Sequence, residues 1–260
     1  MLKSSEMQGA IFDVDDTLLD NGGGTDLTLS LHARSRLAAV YEAAEQYDLP
    51  TLRALTPEQN VQGFMTAKVH SLPGAVWNIL HMTGTVDSED IDPSNKLFQQ
   101  IVARKNELHE AVIREFGVEI PGATDFVRSL AEADLADRLA IGSSAIRRDI
   151  DIFLEKYDLT ELFPESHIIS LEKITRPKPD PETFQLAFAS LGLPESARRF
   201  VPVFEDDPRG MLAAKRAGHY LCAITTKFSR DDPLVLAAEP DVIFDTYDEL
   251  RSLMTSPPKA

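Results

Sequence analysis

Short apolar segments alternate with amphipathic stretches over most of the chain. Six of these segments have the length of a buried strand and little polar alternation: residues 7–12, 139–142, 168–170, 201–204, 221–224 and 242–244. Continuous apolar runs of this length are typical of strands covered on both faces, as in parallel sheets. Strands that alternate with helices pair in parallel through crossover helices. The pattern therefore predicts an α/β fold with a Rossmann-like parallel sheet.

Proline and glycine residues mark the ends of the helices between these strands. Proline is favoured in the first turn of a helix, and glycine just after its last turn. By this criterion we predict helices near residues 123–136 and 182–191, and another between Pro208 and Gly218.

Residues 22–118 have a different pattern, with few strand-like alternations. Helical periodicity dominates there, over residues 27–46, 57–69, 75–81 and 94–116. We therefore predict that an all-helical domain of residues 22–118 is inserted into a core domain made of residues 1–21 and 119–260.

Composition narrows the class of protein. With 43% hydrophobic residues among 260, the chain can bury one large core and a second, smaller one. The net charge of −16 disfavours nucleic acid and anionic membranes as partners, because such a surface repels polyanions. The only cysteine, Cys222, forms neither an internal disulfide nor a cysteine-based metal site. No run of about 18 apolar residues occurs. We expect a cytoplasmic protein without a membrane anchor.

Three carboxylates follow the first predicted strand directly. Asp13, Asp15 and Asp16 lie in the segment Asp-Val-Asp-Asp-Thr, and ligands of open α/β sheets bind at the carboxyl ends of strands. In extended chain Asp13 and Asp15 share a side. Two carboxylates so close repel each other, so the site holds a cation, keeps one acid protonated, or is open to water. An acidic surface turn is the alternative interpretation.

A second acidic cluster follows another predicted strand. Glu205, Asp206 and Asp207 come directly after residues 201–204. Oxygen ligands without nearby cysteine or paired histidines favour Mg²⁺ over zinc. Acids that complement a helix N-terminus are the alternative, and this explains Asp207 better than its two neighbours.

Two further strand ends carry groups that bind phosphate. Ser143 and Ser144 follow the strand at 139–142, and the proline-rich loop after 168–170 contains Arg176 and Lys178. Each feature alone is more often an ordinary turn or a solvated loop. Together, the four strand ends combine carboxylates for a metal, a hydroxyl donor and positive charge, as phosphoryl transfer requires.

The four motifs resemble those of the haloacid dehalogenase superfamily, in the branch of β-phosphoglucomutase and phosphoglycolate phosphatase. The family's Asp-x-Asp-x-Thr matches residues 13–17, its Ser or Thr after a strand matches Ser143, and its Glu-Asp-x-x-x-Gly matches residues 205–210. The resemblance covers residues 7–254, and the helical insert of residues 22–118 stands where that branch carries its cap domain.

The third motif departs from the family pattern Lys-Pro-x-Pro-Asp. The prolines align Arg176 with the family's lysine and place Lys178 at the variable position. Arginine is not a neutral replacement for a compact ammonium group. We predict that Arg176 holds the inner position and Lys178 the rim, although either side chain is able to reach inward. A smaller departure is Asp16, where glycine is commoner in the family.

The resemblance implies a Mg²⁺-dependent mechanism through an aspartyl phosphate. Asp13 is implied as the nucleophile and Asp15 as the general acid and base. Mg²⁺ is then held by the Asp13 and Asp206 carboxylates and the Asp15 backbone carbonyl. The implied phosphate-binding residues are Thr17, Ser143, Arg176 and Lys178.

The implied function is hydrolysis of small phosphate monoesters, such as sugar phosphates or phosphoglycolate. A phosphomutase of the β-phosphoglucomutase kind and a non-catalytic binding module of the same fold remain alternatives. A metal-free dehalogenase is disfavoured, because those enzymes generally lack the second aspartate. The partner is then a small phosphorylated metabolite, and both a monomer and a dimer stay open. His32, Gln62, His70 and Trp77 are candidate substrate contacts in the insert, although packing or solvent exposure is the commoner role of such residues.

Overall fold

The computed structural model describes residues 2–22, 26–69 and 71–255. The chain divides into two compact units: Met1–Asp20 with Val118–Ala260, which we call the core unit, and Asn21–Gly117, which we call the helical unit. The division predicted from the sequence, after residue 21 and before residue 119, differs by one residue at each crossing. A role of the helical unit as a cap stays a prediction.

The strands all belong to the core unit. They are β1 (Ala10–Phe12), β2 (Leu19–Asp20), β3 (Val118–Glu119), β4 (Leu139–Gly142), β5 (Ile168–Ile169), β6 (Val203–Glu205), β7 (Leu221–Ile224) and β8 (Val242–Phe244). Six of them form a parallel sheet in the order β5-β4-β1-β6-β7-β8, and β2 pairs with β3 antiparallel. The predicted α/β fold with a parallel sheet is confirmed.

The α-helices of the helical unit are α1 (Leu31–Gln46), α2 (Pro50–Arg53), α3 (Pro57–Met65), α4 (Leu72–Met82) and α5 (Lys96–Phe116). Those of the core unit are α6 (Ala123–Leu130), α7 (Arg147–Lys156), α8 (Glu182–Ser190), α9 (Pro208–Arg216), α10 (Pro233–Ala237) and α11 (Tyr247–Thr255). Short 3-10 segments fill several of the connections between them. Within the described residues, none of these helices is long and apolar enough to cross a membrane.

Several predicted helices have different bounds in the structure: the one predicted over residues 57–69 ends at Met65, and the one predicted over 75–81 begins at Leu72. The helix predicted over residues 27–46 begins only at Leu31, because the Ser30 hydroxyl accepts a hydrogen bond from the Ala33 N–H at 3.2 Å and so caps the helix there. The helix predicted over residues 123–136 ends as an α-helix at Leu130. A π-type turn follows, in which Asp134 adopts a left-handed backbone with φ of 66°.

Aromatic side chains of β1, β6 and α6 pack together next to the carboxyl ends of the two strands. The Phe12 and Phe204 rings stack with their centroids 4.7 Å apart, and the Phe126 ring meets both edge-on. All three side chains are buried, so this packing excludes water from the sheet just below the point where the strands end. The strand ends thus rest on a close-packed apolar base.

The helical unit has its own apolar core between α1, α4 and α5. Val40, Ile79 and Ile101 are wholly buried there, and the Trp77 ring packs edge-on against Phe98 at 5.4 Å. The Trp77 indole N–H donates to the Ser88 carbonyl at 3.0 Å. This unit therefore packs around a core separate from that of the sheet.

Candidate active site at the strand ends

Adjacent strands bring the two acidic clusters together. β1 and β6 pair in register, with Phe12 opposite Phe204, and each strand runs directly into an acidic residue. Carboxylate oxygens of Asp13, Glu205 and Asp206 all lie within 4.8 Å of one another, and all three side chains are buried. Two acidic stretches almost two hundred residues apart in sequence thus form one cluster.

A tight turn after β1 orients the rest of the first motif. The N–H groups of Leu18 and Leu19 both donate to the Val14 carbonyl, at 2.8 and 2.9 Å. The turn aims the Thr17 hydroxyl at Asp206, to which it donates at 3.2 Å. Asp15 is half-buried at the same turn. The predicted Thr17 and Asp15 are therefore both placed beside the cluster.

The third motif is arranged in the opposite way to our prediction. The Lys178 ammonium lies 2.6 Å from Asp13 Oδ1 and 2.7 Å from Glu205 Oε2, and its side chain is only 8% exposed. Arg176, with its side chain 62% exposed, instead lies near Asp180 and Glu182. The prediction that Arg176 holds the inner position and Lys178 the rim is wrong.

Lys178 takes the inner position because the buried carboxylates need a small cation that fits between them. Buried carboxylates are stable only when they are paired and hydrogen-bonded, and one ammonium group serves both Asp13 and Glu205. The Arg176 guanidinium finds its acidic neighbours at the surface of its own loop. Residues 178–181, Lys-Pro-Asp-Pro, also fit the family's Lys-Pro-x-Pro, and in that register Lys178 takes the place of the family's lysine as the cation that pairs with Asp13 and Glu205.

Ser143 joins the cluster from the end of β4. Its hydroxyl lowers the pKa of the Asp13 carboxyl and accepts the Ala145 N–H at 3.2 Å. The Ser143 N–H itself donates to the Ile169 carbonyl at 2.9 Å, which ties this end of β4 to β5. The hydroxyl predicted from the second motif thus acts on the charge of the predicted nucleophile.

Glu205 was predicted as part of the second acidic cluster and of the fourth motif, but it was not among the implied metal ligands or catalytic residues. In the structure Glu205 accepts from Lys178 and from the Asp207 N–H at 3.1 Å. A Cβ at position 210 would lie 2.2 Å from its carboxylate, so only glycine leaves room for it. The spacing of Glu205 and Gly210 was the available signal: the glycine makes space for a buried acid.

A second ion pair at the site had no signal in the sequence. Lys227, in the segment after β7, pairs with the buried Asp16 carboxylate. The neighbouring Thr226 hydroxyl donates to the Asp16 carbonyl at 2.6 Å. The segment that follows β7 therefore contacts the first motif directly.

Burial and mutual repulsion shift the protonation of the acids. Burial raises the pKa of Asp13; the Lys178 charge opposes this rise, and the Asp15 charge adds to it. Burial and the charge of Asp13 raise the pKa of Glu205 to about 8 against the opposing effect of Lys178. Burial and the charge of Glu205 raise the pKa of Asp206 well above its usual value. Burial lowers the pKa of Lys178, but the carboxylates of Asp13 and Glu205 raise it by more, so its ammonium group stays charged.

This excess of negative charge suits a hard cation. Asp13, Glu205 and Asp206 offer only oxygen ligands, as Mg²⁺ prefers, and a cation relieves the repulsion that raises their pKa values. Lys178 pairs with both Asp13 and Glu205, whereas Asp206 accepts from the Thr17 hydroxyl, so these contacts do not rank the three acids as ligands. The residues present therefore fit a divalent metal.

The candidate contacts in the helical unit have varied surroundings. Trp77 is buried in the core of that unit, and Gln62 is exposed. The His32 ring stacks on His109 with the centroids 4.1 Å apart, and its Nδ1 lies 3.2 Å from the Lys105 ammonium. His70 lies outside the described residues. Packing therefore accounts for Trp77.

Comparison with known proteins agrees with this geometry. The family described as haloacid dehalogenase-like hydrolase matches residues 10–224. Phosphoglycolate phosphatase of Salmonella typhimurium is 25% identical over 99% of this chain and 96% of its own. Glycerol-1-phosphate phosphohydrolase 1 of Saccharomyces cerevisiae is 27% identical over 53% of this chain. The match spans only 54% of that yeast enzyme, about half of its length.

Solved structures share the fold at low sequence identity. CbbY from Rhodobacter sphaeroides, solved in complex with phosphate, superimposes with a TM-score of 0.66 at 21% identity, over 94% of this chain and 96% of its own. A hydrolase from Entamoeba histolytica superimposes with a TM-score of 0.69 at 18% identity, over 96% of this chain and 100% of its own.

Proposed function

This chain belongs to the haloacid dehalogenase-like hydrolases, and we propose that it is a phosphatase that hydrolyses small phosphate monoesters through an aspartyl phosphate. The observation that carries the proposal is the environment of Asp13. This carboxylate is buried beside Asp206, its Oδ1 lies 2.6 Å from the Lys178 ammonium, and the Ser143 hydroxyl lowers its pKa. A carboxylate that attacks phosphorus benefits from cationic and hydrogen-bonding support of this kind.

In the first step the Asp13 carboxylate attacks phosphorus, and the bond from phosphorus to the ester oxygen breaks. Lys178 favours ionised Asp13, because its ammonium lies 2.6 Å from Oδ1. Asp15 protonates the departing alkoxide, so that a neutral alcohol leaves. The products of this step are the free alcohol and an aspartyl phosphate on residue 13.

In the second step water attacks phosphorus and the bond to the Asp13 oxygen breaks. Asp15, now ionised, takes the proton of the attacking water. Inorganic phosphate is released and the Asp13 carboxylate is regenerated. One residue thus acts as acid and then as base, which suits the half-buried position of Asp15 at the edge of the cluster.

Mg²⁺ is the proposed cofactor, held by the Asp13 and Asp206 carboxylates and the Asp15 carbonyl. Its chemistry there is to offset the negative charge shared by the phosphoryl group and the acids. Thr17 orients Asp206 through its hydroxyl, at 3.2 Å. Ser143 and Lys178 support the phosphoryl oxygens together with Thr17. Arg176, exposed on its loop, has no part in this step.

The proposed substrates are small phosphorylated acids, alcohols or sugars. The full-length similarity to a phosphoglycolate phosphatase and the partial similarity to a glycerol phosphate phosphohydrolase both favour this class. A cytoplasmic location, and the choice between monomer and dimer, remain predictions.

The test is phosphate release from phosphoglycolate, glycerol phosphates, several sugar phosphates and p-nitrophenyl phosphate, each with and without Mg²⁺. Asp13→Asn is the blank, and Asp125→Asn on the exposed face of α6 is the matched control. We expect Mg²⁺-dependent release that Asp13→Asn loses and Asp125→Asn keeps. Equal release by Asp13→Asn would refute the mechanism. Conversion of a sugar monophosphate to its isomer that needs an added sugar bisphosphate, without phosphate release, would instead indicate a phosphomutase.

A further inference from the structure

The segment after β7 belongs to none of the four motifs, yet it reaches the first one. β7 pairs with β6, and β6 pairs with β1, so the end of β7 lies one strand beyond the acidic cluster. From there the Thr226 hydroxyl donates to the Asp16 carbonyl at 2.6 Å, and the Lys227 ammonium pairs with the Asp16 carboxylate. Two consecutive side chains thus hold one residue by both its backbone and its side chain.

Asp16 is an unusual residue for this position. Its backbone is left-handed, with φ of 57°, a conformation that glycine adopts freely and that aspartate tolerates. Its carboxylate is buried and adds negative charge to a cluster that already contains Asp13, Asp206 and Glu205. The charge of Asp16 is among the causes that raise the pKa of Asp206, after burial and Glu205.

Lys227 offsets that added charge. Burial lowers the pKa of Lys227, but the carboxylates of Asp16 and Asp206 raise it by more, and Asp15 adds a smaller effect. The ammonium is therefore positive at neutral pH. Its field reaches two of the residues that the proposed mechanism uses, Asp15 and Asp206, without a direct hydrogen bond to either in this structure's described contacts.

We propose that Lys227 is a positioning residue of the active site, which neutralises Asp16 and so sets the balance between cation binding and phosphate binding at the strand ends. The inference rests on the proposed function, because it assigns Lys227 a task within that site. It departs from the four-motif pattern in giving a fifth strand end a part in the chemistry.

A change of charge at position 227 should affect the binding of Mg²⁺ and of phosphate in opposite directions. Lys227→Met removes the positive charge that pairs with Asp16 and so makes the net charge of the site more negative by one. A cation is then held more tightly and an anion more weakly, each by about tenfold for a unit charge at this range in a partly screened site. A loosened loop would behave differently, because loss of geometry weakens the binding of both ligands.

The experiment is isothermal titration of the full-length protein with Mg²⁺ alone, and then with inorganic phosphate at saturating Mg²⁺. For Lys227→Met we expect an approximately tenfold lower Kd for Mg²⁺ and an approximately tenfold higher Kd for phosphate. Asp16→Asn should shift both in the opposite directions, because asparagine keeps the left-handed backbone and removes one negative charge. Asp16→Asn combined with Lys227→Met should restore both values to within about threefold of the parent.

Lys215→Met is the matched control. Lys215 forms a comparable ion pair with Asp241, at 3.1 Å, and neither residue belongs to the acidic cluster. We expect it to leave both Kd values unchanged. If Lys227→Met weakens both ligands, or changes neither, the inference is wrong. This failure is distinguishable from failure of the proposed function, which is judged by phosphate release from Asp13→Asn.

Discussion

The core unit and the helical unit both bury charge, but they do so in opposite ways. In the helical unit Arg36 is 5% exposed and its guanidinium is matched by neutral acceptors. Nε donates to the Asn60 side-chain oxygen at 2.8 Å, and Nη2 donates to the Asn60 carbonyl at 3.1 Å. Asn60 in turn donates to the Ala33 carbonyl at 2.9 Å. Burial lowers the pKa of Arg36 to about 10, so the group stays charged at neutral pH.

At the strand ends of the core unit, like charges are buried together. Asp13, Glu205 and Asp206 repel one another, and a single ammonium, that of Lys178, pairs with two of them. Burial first, and the charge of a neighbouring acid after it, raise the pKa values of all three carboxyl groups. The contrast shows that burial alone does not indicate a functional site. The Arg36 guanidinium, which donates to neutral acceptors, links two helices. Carboxylates buried next to one another instead form a site that favours a cation and a charged substrate.

The largest expected effect tests the functional side of the comparison. Asp13→Asn should lower kcat/KM for p-nitrophenyl phosphate by about 10⁴-fold, because the amide cannot form the aspartyl phosphate. Far-UV circular dichroism should remain that of the parent. A variant that keeps more than a tenth of the parental kcat/KM would show that the acidic cluster does not supply the nucleophile.

The third motif tests which cation belongs to the cluster. Lys178→Met should lower kcat/KM by about 10²-fold or more, because Asp13 and Glu205 lose their common partner. Arg176→Met, the matched control two residues away, should stay within about twofold of the parent because its side chain is exposed. Steady-state phosphate release measures both. The reverse ranking would return the inner position to Arg176.

The buried arginine tests the structural side. Arg36→Leu should destabilise the helical unit by about 3 kcal/mol, because Asn60 is left buried without its partner. Combining it with Asn60→Leu should recover part of that loss, since both polar groups are then removed. Trp77, the only tryptophan of the chain, is buried in this unit and reports urea unfolding by fluorescence. Loss of less than about 0.5 kcal/mol in the single variant would mean that the pair adds no stability.

The smallest expected effect is a pH dependence of stability that comes from a buried histidine in the core unit. His219 is wholly buried, and its Nδ1 lies 2.8 Å from the Val201 carbonyl. Burial lowers its pKa to about 4, below the value of 6.5 for an exposed histidine. The unfolded chain therefore binds a proton below pH 6.5 while the folded one does not, and stability is lost as the pH falls from 6.5 towards 4.

Replacing this histidine isolates its contribution. Between pH 7 and pH 5 the free energy of unfolding of the parent should fall by about 2 kcal/mol more than that of His219→Asn, because asparagine cannot bind a proton. Urea unfolding at the two pH values measures the difference. Equal losses in the two proteins would show that His219 titrates alike in the folded and unfolded chain.

Much of the fold was predictable because its signals are local. The strands covered on both faces are continuous apolar runs, and prolines or glycines stand near several helix ends. The end of α6 at Leu130 was missed because the amphipathic pattern continues past the point where Asp134 turns the backbone left-handed. Periodicity describes which side chains are apolar, and it does not report such a change of backbone.

Less of the site was predictable because its contacts are not local. The carboxylates were found since they follow strands, and parallel strands end at one edge of a sheet. Two registers of the proline-rich loop fit the third motif, one beginning at Arg176 and one at Lys178, and the contacts of Lys178 with Asp13 and Glu205 decide between them. Lys227 reaches Asp16 only through the strand order, which no short motif encodes.

The most direct test of a covalent phosphoryl-enzyme intermediate, the central claim for Asp13, is the ratio in which the phosphoryl group is transferred to water and to an added alcohol. Phosphate and alkyl phosphate are measured in parallel for at least three aryl or alkyl phosphate esters, at one fixed concentration of glycerol. If all the esters pass through the same aspartyl phosphate, the ratio of the two products is the same for every leaving group. A ratio that changes with the leaving group would mean direct attack by water or alcohol on the bound ester, and would contradict the mechanism.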